Sequence, residues 1–69
     1  MEKRLCCLAK GENAVITRTK KAPRLKALGL IPGAVVCCTY KSGFVMVLEV
    51  GQRLLAIPTR QLRSVWADF

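Results

Sequence analysis

Apolar residues come in short blocks separated by glycine, proline or charge, and within most blocks they alternate or include β-branched side chains, the pattern of short half-buried strands. Six such blocks are expected. The first covers Arg4 to Leu8, and a turn over Lys10-Gly11-Glu12-Asn13 leads into a second at Ala14-Val15-Ile16-Thr17-Arg18. Val35 to Tyr40 and Phe44 to Val50 flank Lys41-Ser42-Gly43, a connection short enough for an antiparallel hairpin with Gly43 at a position of unusual φ. In the latter strand Phe44, Met46, Leu48 and Val50 share one face and Val45, Val47 and Glu49 the other, as in a strand apolar on both sides. Gly51-Gln52 is a tight turn, and Arg53 to Ile57 is a fifth strand stopped by Pro58, which has no N–H for a ladder. Thr59 to Leu62 reads as one 3₁₀ turn, and Ser64 to Ala67 as a closing strand that pairs with the first and removes two exposed edges.

The helical period occurs once, between the second and third strands. Pro23 suits a first helical turn, and Arg24-Leu25-Lys26-Ala27-Leu28 are good helix formers. Gly29 stops them after barely two turns, with Leu25 and Leu28 held against the sheet by packing. Taking Gly29 as the residue just past the helix makes Leu25 and Leu30 the pair that touches in a Schellman ending. Pro32-Gly33 then fills the centre of a type II turn that launches the strand at Val35. The fold class expected is a mainly β protein: a small barrel of five to six short antiparallel strands with one short α-helix between strands 2 and 3.

Size narrows the functions available. The 69 residues suffice for one domain, 1–69, with no material for a second core or a large enclosed active site. The longest uncharged stretch, Ala27 to Tyr40, is interrupted by Gly29, Pro32 and Gly33 and falls short of the roughly 20 apolar residues of a spanning helix. The apolar run after Arg4 is also too short for a secretory signal, so a cytoplasmic location is expected.

Charge adds a partner class. Twelve Lys and Arg face four acids, a net +8, admitting nucleic acid, an anionic membrane face or an acidic protein patch as partner. Arg18, Lys20, Lys21, Arg24 and Lys26 fall within nine residues and make a local positive lobe.

Enzymatic chemistry finds little to stand on, since the chain has no histidine and its only acids are Glu2, Glu12, Glu49 and Asp68. Its glycines are isolated turn residues and match neither phosphate-binding motif. Cys6-Cys7 and Cys37-Cys38 could supply four thiolates, but adjacent residues on a strand point to opposite faces, whereas metal ligands are usually two to four residues apart. One cysteine of each pair is expected to pack inward, with no metal site.

The run Arg24-Leu25-x-x-Leu28-Gly29-Leu30-x-Pro32-Gly33, set between two strands, resembles the ferrous iron transport protein A family (FeoA) and the related C-terminal domain of iron-dependent repressors. The resemblance extends in order through nearly the whole chain, although the hairpin at Lys41 to Gly43 is shorter than in many family members. It implies an SH3-like barrel, noncatalytic and without cofactor. It also implies a cytosolic accessory role beside the ferrous iron permease FeoB, peripheral to the inner face of the cell membrane. The family's marked positions map to Leu25, Leu28, Gly29, Leu30, Pro32 and Gly33, already accounted for as architecture. Partner binding is therefore expected on Lys20, Lys21, Arg24 and Lys26, beside the exposed helix surface. Two other readings stay open: nucleic-acid binding by a small basic barrel, and a free-standing protein-binding module using Tyr40, Phe44 and Trp66.

Overall fold

The structure, a computed structural model, describes all of residues 1–69. Six strands are present: β1 (Glu2–Arg4), β2 (Asn13–Thr19), β3 (Val35–Lys41), β4 (Val45–Val50), β5 (Arg53–Pro58) and β6 (Val65–Asp68). A single helix, α1 (Pro23–Ala27), lies between β2 and β3, and 3₁₀ turns occupy Leu5–Cys7 and Thr59–Ser64. All strand pairs are antiparallel, in the order β1-β6-β2-β3-β4-β5. The extents are nearly equal in three directions, 24 × 23 × 23 Å, so this one sheet curls around its own core. Sixteen buried residues, all hydrophobic, form that core.

The mainly β architecture and the place of the helix match expectation, with three local corrections. The first strand is not Arg4 to Leu8: it ends at Arg4, and Leu5–Cys7 form a 3₁₀ turn. Leu5 and Leu8 are both fully buried, which three-residue spacing on a 3₁₀ turn allows and strand alternation forbids. The second correction is the hairpin. Gly43 is absent from the positive-φ glycines, and Ser42 shapes the turn instead. Its Oγ accepts from the N–H groups of Phe44 (3.2 Å) and Val45 (3.1 Å), while its own N–H donates to the Val45 carbonyl at 2.9 Å. Phe44 consequently lies outside β4 and is 89% exposed, while Met46, Leu48 and Val50 face the core without it.

The third correction concerns edges. β6 does pair with β1, and also with β2, yet β1 and β5 do not pair with each other. The two 3₁₀ turns pack together at that gap, the second also against β5, and bring in Leu5, Leu8 and Leu62 as fully buried side chains.

The helix ending forms as expected. Leu30 N–H donates to the Leu25 carbonyl (3.0 Å) and Gly29 N–H to that of Lys26 (3.0 Å), with Gly29 at φ +98°, a complete Schellman motif. Leu25 and Leu30 are both buried. Arg53 Nη2 satisfies the Leu28 carbonyl at 2.9 Å, tying the helix end to the start of β5. Ala34 N–H closes the Pro32-Gly33 turn on the Ile31 carbonyl at 3.0 Å, with Gly33 at φ +93°. That turn is bonded to β2: Gly33 N–H reaches the Ile16 carbonyl (2.7 Å) and Ile16 N–H the Ala34 carbonyl (2.9 Å).

Between Ile16 and Arg18 the β2–β6 register shifts, and the extra residue lets the adjacent Thr17 and Arg18 both reach one carboxylate. Glu2, two strands away on β1, accepts from Thr17 Oγ1 at 2.6 Å and from Arg18 Nε at 3.2 Å. The Thr17 hydroxyl and then the Arg18 guanidinium hold the Glu2 carboxyl below its ordinary value of 4.5.

A Cβ at position 29 adopts a left-handed backbone and meets Arg53 Nη2 at 3.4 Å, so Gly29→Ala costs about 1–2 kcal/mol. Gly43→Ala, in open space at an ordinary φ, leaves the thermal midpoint close to wild type. For Glu2, a depressed folded pKa means that its contribution is present above the unfolded value and lost as pH falls through the folded one. Melts at a series of pH values therefore show Glu2→Gln less stable than wild type near neutrality and the two proteins converging in acid below 4.5.

Candidate partner-binding surface

The route of the chain into α1 decides which cations reach the surface. Lys20 N–H donates to the Ser64 carbonyl at 2.8 Å, fastening the loop after β2 to the second 3₁₀ turn. Lys21 then adopts φ +47°, the left-handed region that a non-glycine residue enters at a cost of about 1 kcal/mol or more. This reversal buries Ala22 and delivers Pro23 to the first helical position. With Leu25 facing the core and Leu28 half-buried, one turn of helix leaves Pro23, Arg24, Lys26 and Ala27 exposed.

Lys21 and Arg24 line an open hollow of about 230 Å³, floored by Ala22, Pro23 and Leu25 and completed by Gln61 and Ser64. It contains two cations, two neutral polar side chains and no acid. Lys20 and Lys26 are exposed but lie outside it. Two of the four expected contact residues thus converge in one concavity and two flank it. None of the four has a carboxylate partner, because the only salt bridges join Met1 to Asp68 and Arg18 to Glu2. Gln61 and Ser64 had no sequence signal: some forty residues separate them from Lys21, and the Lys20–Ser64 bond that joins the two segments is between backbone groups.

Arg18 leaves the expected positive lobe. Besides binding Glu2, its guanidinium lies 4.2 Å from the centre of the Trp66 ring. Arg4, from the strand on the other side of β6, lies 5.7 Å from the same ring. Trp66 is half-buried and capped by these cations, whereas Tyr40 and Phe44 belong to the β3–β4 hairpin, separated from β6 by β2. The three aromatic residues do not form one groove.

The cysteines divide between packing and surface. Cys38 is buried, with its Sγ 3.4 Å from the Tyr40 carbonyl, and Cys37 is half-buried on the other face of β3. Cys6 is half-buried and Cys7 exposed, on a 3₁₀ turn and not on the strand the sequence suggested. Burial raises the Cys6 and Cys38 thiols above the ordinary value of 9.0, which disfavours the nucleophilic thiolate. No three His, Cys, Asp or Glu side chains come together as a metal-binding group. No helix is long and apolar enough to cross a membrane.

A family model described as the FeoA domain matches residues 3–68. Among solved structures, the chain is similar to an iron uptake regulatory protein (FeoA), with a TM-score of 0.90 and 19% identity over 97% of this chain and 96% of that one. It is similar also to IdeR of T. acidophilum, with a TM-score of 0.81 and 25% identity, where it covers 33% of the longer chain. A manganese-dependent transcriptional repressor gives a TM-score of 0.81 at 8% identity, with 40% of that chain covered. No curated protein matches the sequence. The fold is therefore the SH3-like one shared by FeoA and these repressors, and the match across residues 3–68 makes the chain a member of the FeoA domain family.

Proposed function

We propose that this protein is a noncatalytic accessory module of ferrous iron uptake that docks on an acidic patch of the cytoplasmic part of a FeoB-type permease. Membership of the FeoA domain family links it to ferrous iron transport. The observation that carries the docking surface is the acid-free hollow of Lys21, Arg24, Gln61 and Ser64, flanked by Lys20 and Lys26. Two uncompensated cations beside neutral donors suit a carboxylate presented by a partner, because charge-assisted hydrogen bonds form there without first breaking an internal ion pair. Iron is cargo of the permease in this reading, and the module acts by binding.

A regulatory role agrees with the chemistry of the chain. It has no histidine, two of its thiols are pushed toward the protonated form, and Glu2 is engaged by Thr17 and Arg18. Nucleic-acid binding is less well supported, since stacking platforms need free aromatic faces and Trp66 is already covered by two guanidinium groups.

Retention of the protein by FeoB-containing membrane extract tests the surface. Charge reversal at Lys21, Arg24 and Lys26 together is expected to lower retention at least about tenfold, the effect of leaving close charge pairs unmade. Unchanged retention rules this surface out. Recovery of RNA in place of the permease, with affinity falling steeply as salt rises, favours the nucleic-acid reading.

A further inference from the structure

The outer face of β3–β4–β5 near the Ser42 turn carries a run of apolar side chains, beside the exposed Thr39 at the β3 bulge. Strand register places Tyr40 beside Val47, Val47 beside Ala56, and Val45 beside Pro58. Tyr40, Ala56 and Pro58 are exposed, and Val45 and Val47 are half-buried. Phe44, next to Val45 at the hairpin tip, has 89% of its surface in water. An aromatic side chain on a loose tip would carry little meaning, but here the backbone holds it. Phe44 N–H donates to Ser42 Oγ, and its carbonyl accepts from Thr59 N–H at 3.0 Å. Both of its backbone polar groups are bonded, so the main chain from which the ring projects is held in place.

The charges around the tip are of one sign. Lys41 precedes the turn, Arg60 follows Thr59, and no acid occurs from residue 39 to 48 or from 53 to 67. Lys41 and Arg60 are both exposed and neither has a carboxylate partner. From this arrangement we infer that the hairpin tip is a membrane-contact element, inserting Phe44 into the headgroup–acyl boundary of an anionic bilayer while Lys41 and Arg60 meet the lipid phosphates. A ring on a protruding turn needs no preformed pocket in a deformable medium, and long cationic side chains keep their charged ends at the interface as their stems follow the apolar surface. A second copy of the chain is a poor occupant. A two-fold contact would bring the same uncompensated cations together on a protein of net charge +8. This surface shares no residue with the one around α1, although Arg60 adjoins Gln61 on the same 3₁₀ turn, and variants at Phe44 and at Lys21 with Arg24 test the two proposals separately.

Co-sedimentation of the full chain with phosphatidylcholine vesicles, with and without phosphatidylglycerol, tests the inference. Wild type binds the anionic vesicles only. Phe44→Ser, at an exposed site where circular dichroism should show an unchanged fold, lowers the partition coefficient at least about tenfold. Lys41→Glu combined with Arg60→Glu lowers it by a similar factor. Phe44→Trp reports depth: brominated lipid quenches the new fluorescence beyond the Trp66 baseline of wild type. Equal vesicle binding by wild type and Phe44→Ser overturns the inference. So does the absence of binding to either vesicle, or a Phe44→Ser loss of retention on detergent-solubilised FeoB with vesicle binding unaltered, which assigns the tip to a protein contact.

Discussion

Two hydrogen bonds on Ile16 set how β2, the helix and β3 are placed against one another. Its carbonyl takes Gly33 N–H at 2.7 Å and its N–H reaches the Ala34 carbonyl at 2.9 Å, so the Pro32-Gly33 turn is locked to the middle of β2. Beyond that point the regular β2–β3 ladder covers only three residue pairs, from Asn13↔Cys37 to Val15↔Val35. The turn therefore extends the ladder and fixes where β3 begins. Because the Schellman ending joins Leu30 to Leu25, the same bonds also fix the position of α1. A one-turn helix has no stability of its own, and this one is retained by its C-terminal clasp, the Arg53 bond and the burial of Leu25 and Leu30.

The docking surface proposed above is thereby distinct from the residues that mark the family. Leu25, Gly29, Leu30, Pro32 and Gly33 are accounted for by backbone geometry and packing, and the exposed cations near them, Lys20, Lys21, Arg24 and Lys26, carry no internal ion pair. The placement of acids sharpens the contrast. Glu2 and Asp68 lie on the paired strands β1 and β6, where they engage Arg18 and the Met1 ammonium, and Glu12 accepts from Ala9 N–H. Internal neutralisation is thus concentrated near β1, β6 and the start of the chain. The loop and helix before β3, and the tip of the β3–β4 hairpin, keep their positive charge without an internal carboxylate partner.

The sequence was most readable where one residue type can satisfy one backbone requirement. Gly29 and Gly33 each need a left-handed conformation, and their offsets from Pro23, Leu25 and Pro32 predicted the helix stop and turn that are observed. Reading failed where two conformations suit the same pattern. Arg4 to Leu8 alternates too briefly to separate a strand from a 3₁₀ turn, and the burial of both Leu5 and Leu8 decided the matter. Gly43 drew attention as the flexible residue of the hairpin, whereas the hydroxyl of Ser42 did the shaping and left Phe44 outside the strand. Gln61 and Ser64 were out of reach of local pattern altogether, since only the tertiary fold brings the second 3₁₀ turn beside Lys21.

Amide hydrogen exchange at Leu30 and Gly33 tests most directly whether this segment is part of the structural core. Their N–H groups donate to Leu25 and Ile16, and if those bonds hold β2, α1 and β3 as one unit, both amides exchange only through global unfolding. Their opening free energies should then equal those of the most protected amides in the sheet. Exchange of Leu30 and Gly33 through a local opening, with β2 and β3 still protected, would contradict the account.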